Sequence, residues 1–269
     1  MMKRYGFWAG AAAIMLAAAC TDDVTEQTAA QNEEPAEAAA PVAEEAVNFE
    51  NNELRGEYSR EFAYNWPAAV TAVPELVARF SVERDKALAE QRQDFEDALR
   101  EFAGEDCIGC INRSYSKEWS VVTDLPRFLS LSAMIYMYAG GAHGNGAYDA
   151  LVWDREAGKV LQVEDFFTSE AVMQEALGAR WCAALKKLKI KRLGEEYADD
   201  TFFACPDVVQ LNVLLGSAGK KAFDRVGLIA APYVAGSYAE GSYEVTLPVT
   251  AAVIAAVKPE YRAYFAAAK

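Results

Sequence analysis

Between residues 74 and 102, PELVARFSVERDKALAEQRQDFEDALREF, the apolar residues Leu76, Val77, Phe80, Leu88, Phe95, Leu99 and Phe102 recur at helical spacing among charged neighbours, and Pro74 stands at the start. Positions three and four apart share one face, and a proline loses nothing in a first turn, so this stretch predicts a long amphipathic helix. Residues 169–193, SEAVMQEALGARWCAALKKLKIKRL, predict a second one. Ser169 can cap it, Glu170 suits the positive end of its dipole and its basic tail suits the negative end.

Elsewhere the period falls towards two. ELRGEYSREFAYNWP, residues 53–67, mixes polar and aromatic positions and stops at a proline, as an opening strand would. SYSKEWSVVTDLP precedes RFLSLSAMIYMYAGGAHGNGAYDALVWDREAGKVLQVEDFF, where Phe128, Leu129, Leu131, Met134, Tyr136 and Tyr138 alternate with other residues on one side of a glycine-rich turn. These read as antiparallel strands. VVQLNVLL, KAFDRVGLIAAPYV and SYEVTLPV add further strands, and TAAVIAAV a short helix. Strands and helices are segregated, so the expected body is one α+β domain: an antiparallel sheet packed with two main helices.

The first twenty residues break this pattern. Lys3 and Arg4 precede an apolar run, YGFWAGAAAIMLAAA, which is too short for a permanent bilayer span and ends directly before Cys20. The stretch resembles a bacterial lipobox, with Ala17 where leucine is usual and Leu16 one step back. That resemblance implies cleavage after residue 19, acylation of Cys20 and, with Thr21 rather than aspartate next, an outer-membrane address on the periplasmic side. Residues 20–48 then hold eight acidic residues, no basic ones and no aromatics, so they cannot build a core and are expected to form a tether reaching about 30 Å. The folded domain is expected over 49–269.

The formal charge is −14 for the whole chain, and about −16 once Lys3 and Arg4 leave with the signal. Nucleic acid is therefore not an expected partner. A basic protein would be attracted, although an acidic body also serves solubility. Cys20 aside, four cysteines remain in a chain addressed to an oxidising compartment, which predicts two disulfides. Three pairings are possible. Cys107 with Cys110 and Cys182 with Cys205 is favoured, because the first two are adjacent and the second two bracket one helical segment.

Candidate chemistry centres on MYAGGAHGNG, residues 137–146, which contains the single histidine, His143. One histidine and four oxidised cysteines do not supply the ligand set of a catalytic zinc. No G-x-S-x-G elbow accompanies a Ser-His-Asp triad, no pair of carboxylates stands out for glycoside cleavage, and the glycines lack the pattern of a phosphate-binding loop. The CIGC pair follows the end of a long helix, where the dipole opposes a thiolate, so it reads as structural. No catalytic residue, metal or cofactor is assigned. In a hairpin, Gly140 and Gly141 would supply positive φ, while His143 and Asn145 could bond exposed backbone groups.

SLSAMIYMYAGGAHGNGAYDALVWDREAGKVLQVEDFF is similar to the signature of an extracytoplasmic domain family, shared by the lysozyme-sensing anti-sigma factor RsiV and the noncatalytic part of the peptidoglycan deacetylase PdaC. The matching features are the aromatic strand ending in Tyr138, then Gly140, Gly141, His143, Gly144 and Asn145, a return strand, a turn at Gly158-Lys159 and the close at Asp165, Phe166 and Phe167. APYVAGSYAEGSYEVTLPVTAAV resembles the family's closing segment through Pro232-Tyr233, Tyr238, Gly241 and the strand to Pro248. Ala139 and Gly146 depart from the pattern, and the cysteines lie outside it.

The resemblance implies an envelope domain that binds a ligand, in the anti-sigma branch a lysozyme. The deacetylase's chemistry sits in a separate domain for which this chain has no room, and a cytoplasmic segment with a transmembrane helix is not found either. The expected function is thus a noncatalytic envelope lipoprotein binding a protein or cell-wall glycan, with Tyr138, Gly140, Gly141, His143 and Asn145 as candidate contacts. A hydrolase of envelope polymers and a purely structural envelope protein are the alternatives.

Overall fold

The computed structural model describes residues 45–195 and 204–268, so the signal segment, Cys20 and most of the expected tether lie outside the described residues. The strands are β1 (Val47–Glu50), β2 (Glu53–Arg55), β3 (Tyr58–Trp66), β4 (Arg113–Asp124), β5 (Phe128–Tyr138), β6 (Asn145–Asp154), β7 (Lys159–Leu161), β8 (Asn212–Gly216), β9 (Arg225–Ala230) and β10 (Tyr243–Pro248). The helices are α1 (Ala68–Thr71), α2 (Pro74–Glu101), α3 (Ile108–Ile111), α4 (Glu170–Leu193) and α5 (Ala251–Ala256). The two long helices fall where the periodicity put them, and the α+β class holds. Ser169 caps α4 by accepting from the Val172 N–H, as its sequence position suggested.

A seven-stranded sheet runs β1-β3-β4-β5-β6-β7, with β2 also pairing β3, and a three-stranded sheet runs β10-β9-β8. Three details differ from the sequence reading. First, β3 and β4 are parallel, with Phe62 opposite Tyr115, because the 28-residue α2 carries the chain back across the sheet between them. Second, the stretch read as one opening strand is a β2–β3 hairpin, in which Gly56 turns the chain at φ +64°. Third, β1 pairs Asn48 with Asn65, so the sheet begins at Val47, two residues ahead of the boundary drawn from composition. In addition, Val208–Gln210 is a 3-10 turn with reciprocal Asp207 and Gln210 capping, and β9 ends at Ala230, before the turn that contains Tyr233.

Alternation along β5 and β6 divides the interior in two. Leu129, Leu131, Leu151 and Trp153 point to the α2 side, where they meet Phe62, Tyr64, Trp66, Phe80 and Trp119. Phe80 stacks on Trp119 at 4.6 Å between ring centres. Phe128 and Val152, one residue out of phase, point the other way, against α4 and the three-stranded sheet, joining Trp181, Phe166, Phe223 and Tyr243. Asp154 is buried at this second core and receives two bonds from Arg127, at 2.9 and 2.7 Å. Both favoured disulfides are present, Cys107–Cys110 and Cys182–Cys205, the second tying α4 to the chain ahead of β8. Beyond Ala133 the β5–β6 hairpin leaves both cores, and Met134, Tyr136 and Met137 become exposed.

Candidate functional site

The tip of this hairpin, residues 139–144, is fastened from below by the Cys107–Cys110 loop. The Tyr138 hydroxyl lies 2.7 Å from the Gly109 carbonyl and 2.9 Å from that of Gly141, sharing its one hydrogen between them. The Gly141 N–H donates to the same Gly109 carbonyl at 3.2 Å. Gly140 (φ +88°) and Gly141 (φ +96°) take the left-handed backbone expected of them. Gly140 also needs its lack of a side chain for space: a Cβ there would stand 3.1 Å from the Cys110 carbonyl oxygen and 3.3 Å from Arg113. That arginine is buried and locked, donating to the carbonyls of Cys110, Ile111 and Asn112 and pairing with Asp94.

Above the clamp the chain presents aromatic rings. His143 is exposed and stacks on Tyr238, with ring centres 3.7 Å apart and planes 14° from parallel. Its Nδ1 is 3.0 Å from the Gly144 carbonyl, which can only accept, so Nδ1 carries hydrogen in this arrangement. In the neutral ring Nε2 is then the acceptor, and it lies 3.4 Å from the Tyr233 hydroxyl. Tyr233 in turn lies 5.7 Å from Tyr238. Gly144 is buried under Tyr136, where a Cβ would approach the Tyr136 ring to 2.4 Å.

Tyr238 owes its position to a 3-10 turn, Tyr238–Glu240, capped reciprocally by Ser237 and Glu240. Burial opposes ionisation of Glu240, but hydrogen bonds from the Tyr243 hydroxyl and the Ser237 N–H outweigh it and hold the carboxyl below its ordinary value. The Tyr243 phenol is pushed up to about 12, first by burial and then by Glu240. Arg192, at the end of α4, lies 4.1 Å over the Tyr243 ring and donates to the Ser242 carbonyl, and Ser242 Oγ meets the Tyr148 hydroxyl of β6 at 3.0 Å. The aromatic ledge therefore rests on α4, β6 and β10 together.

Tyr233 stands out. It is 53% exposed and holds φ +71°, a backbone region that costs a non-glycine residue about 1–2 kcal/mol. Of the residues singled out from sequence, Tyr138, Gly140 and Gly141 form the clamp and His143 the ledge. Asn145 opens β6 opposite Met137, exposed and, among the described residues, with no side-chain hydrogen bond. The partners of His143 were missed, because Tyr233 lies ninety positions away along the chain. The available signal was the second block, which carries Tyr233 and Tyr238. Chemically the ledge offers ring faces and phenolic hydroxyls. Among the described residues no carboxylate pairs with His143.

Residues 53–146 match the family model described as Deacetylase PdaC, a segment that runs from β2 to the start of β6 and includes the clamp and His143. A DUF3298-family protein from Bacteroides fragilis has a similar fold, with TM-score 0.52, 19% identity and coverage of 76% of this chain and 90% of that one. A DUF3298-family protein from Pseudomonas aeruginosa PAO1 is similar with TM-score 0.51 and 18% identity, covering 80% of this chain and 95% of that one. No curated protein matches. The family resemblance read from residues 130–167 and 231–253 thus agrees with a PdaC family match and with a DUF3298 fold.

Proposed function

We propose that this protein is a noncatalytic envelope lipoprotein, acylated at Cys20 and held at the periplasmic face of the outer membrane, whose domain binds a protein or cell-wall ligand on the hairpin ledge. A lysozyme-like enzyme is the first candidate, on the family resemblance and on the acidity of the chain. One observation carries the reading: Tyr233 is kept in a strained left-handed backbone while its ring stays exposed beside the His143–Tyr238 stack. Strain of that kind persists where the surroundings enforce it, and it gathers at ligand-contact sites. Exposed aromatics on a rigid base are also the usual anchors of binding surfaces.

The test is Tyr233→Asn, since asparagine tolerates the left-handed backbone and removes the ring. Affinity for c-type lysozyme or soluble peptidoglycan fragments should fall about tenfold, with the fold intact by circular dichroism. A hydrolase would instead turn over the polymer and lose turnover on replacing His143. A structural protein would bind neither probe.

A further inference from the structure

On the α2 side of the sheet, below the clamp, a trough of about 320 Å³ runs between α2 and the ends of β4 and β5. Ala87, Tyr115, Met137 and Ala139 give it an apolar lining, Glu90 and Asp94 an acidic one, and Arg113, held by Asp94, reaches it as well. Met137 is half exposed, and a methionine adapts its shape to what lies against it.

The trough sits in a negative field. Asp94 spends one oxygen on Arg113, and among the described residues Glu90 meets only the exposed Lys86, at 3.8 Å. Just behind, buried Lys117 is paired with both Glu83 and Asp149, so that cluster keeps a surplus negative charge. Tyr115 registers the field: its phenol is pushed up to about 12 by burial, then by Glu83, Asp149 and Glu90. An apolar lining beside an acidic one matches one side-chain chemistry, a long aliphatic stem that ends in a cation.

We propose that this trough receives a lysine side chain of a polypeptide partner, its stem on Tyr115 and Met137 and its ammonium between Glu90 and Asp94. The inference rests on the binding reading above, since Ala139 and Tyr138 join the trough to the hairpin tip, and a protein seated on the ledge would reach both. A polypeptide is favoured over a free amine because Tyr138 and Ala139 belong both to the trough and to the hairpin that carries the exposed ledge.

The experiment uses the full oxidised chain with ¹³C-methyl methionine, the Met137 resonance being assigned with Met137→Leu. Gly-Lys-Gly is titrated against its uncharged norleucine analogue and against 1,5-diaminopentane. The Met137 signal should move saturably with Gly-Lys-Gly and far less with the norleucine peptide, and Glu90→Gln should weaken the lysine peptide about threefold, the scale of one partly exposed ion pair. Equal shifts from the neutral peptide, or no saturable shift, would overturn the proposal. Tighter binding of the free diamine than of the peptide would overturn the choice of a polypeptide. Because the probe is a tripeptide scored at Met137, its failure is distinct from failure of macromolecular binding at Tyr233.

Discussion

Replacing Gly140 by alanine, with Gly141→Ala as its companion, separates the two demands made on the hairpin tip. Both glycines hold φ near +90°, so each variant carries the left-handed cost of about 1–2 kcal/mol, offset by about 0.4–1 kcal/mol from the stiffer unfolded chain. A Cβ at 141 meets nothing within 4 Å, whereas at 140 it meets the Cys110 carbonyl at 3.1 Å and Arg113 at 3.3 Å. Neither neighbour can yield, because the disulfide fixes the loop and three carbonyls with Asp94 fix the guanidinium. Such crowding adds about 1–2 kcal/mol. Gly141→Ala should therefore cost about 0.5–1 kcal/mol and Gly140→Ala about 1.5–3 kcal/mol. In urea, with a slope of about 2 kcal/mol per molar, the midpoint should fall by about 0.3–0.5 M and by about 0.8–1.5 M, the slope unchanged. Equal losses for the two variants would refute the claim that the tip is clamped on the Cys107–Cys110 loop.

Further outcomes follow from the same structure. Cys182→Ser with Cys205→Ser should cost about 3 kcal/mol by denaturant unfolding, the loop-entropy value for a separation of 23 residues, and a loss below about 1 kcal/mol would contradict it. Asp154 is disfavoured as an anion by burial, yet the bonds from Arg127 and the backbone N–H groups of Ala157 and Glu156 outweigh this and lower its folded pKa. Its stabilisation is full above the ordinary carboxylate range and is lost as pH falls through the lowered value, so Asp154→Asn should flatten the acid limb of a pH–stability profile as well as cost about 3 kcal/mol at neutral pH. Phe80→Ala should cost about 3–5 kcal/mol by urea unfolding, since its fully buried ring fills the α2 core against Trp119, Tyr64 and Trp66.

The sequence was informative where the physics is local. The stripe Leu76, Phe80, Leu88 and Phe95 predicts one face of a helix, and Ser169 ahead of Glu170 suits the start of one, as both prove to be. Alternation in β5 and β6 announced a hairpin, and the adjacency of Cys107 and Cys110, with Cys182 and Cys205 bracketing one helical segment, selected the two disulfides from three pairings. What was hidden is set by distance along the chain. Parallel β3–β4 pairing depends on how α2 lies, and the Tyr58–Trp66 pattern would look the same in either direction. Gly56 was legible as a turn but was read inside a strand, because the polar–aromatic alternation continues on both sides of it. At the site, the clamp residues Tyr138, Gly140 and Gly141 lie within one stretch and were found together. The ledge was half visible, since stacking of His143 on Tyr238 arises only when the 231–242 segment folds across the tip of β6.

The central claim is that the ledge at His143, Tyr233 and Tyr238 is a ligand-binding surface. Its most direct test is calorimetric titration of the oxidised full-length chain with c-type lysozyme and, separately, with soluble peptidoglycan fragments, repeated with Tyr233→Asn. The account predicts saturable binding to one of the two, about tenfold weaker in the variant and without consumption of the ligand. No saturable binding to either, or binding that Tyr233→Asn leaves unchanged, would contradict it.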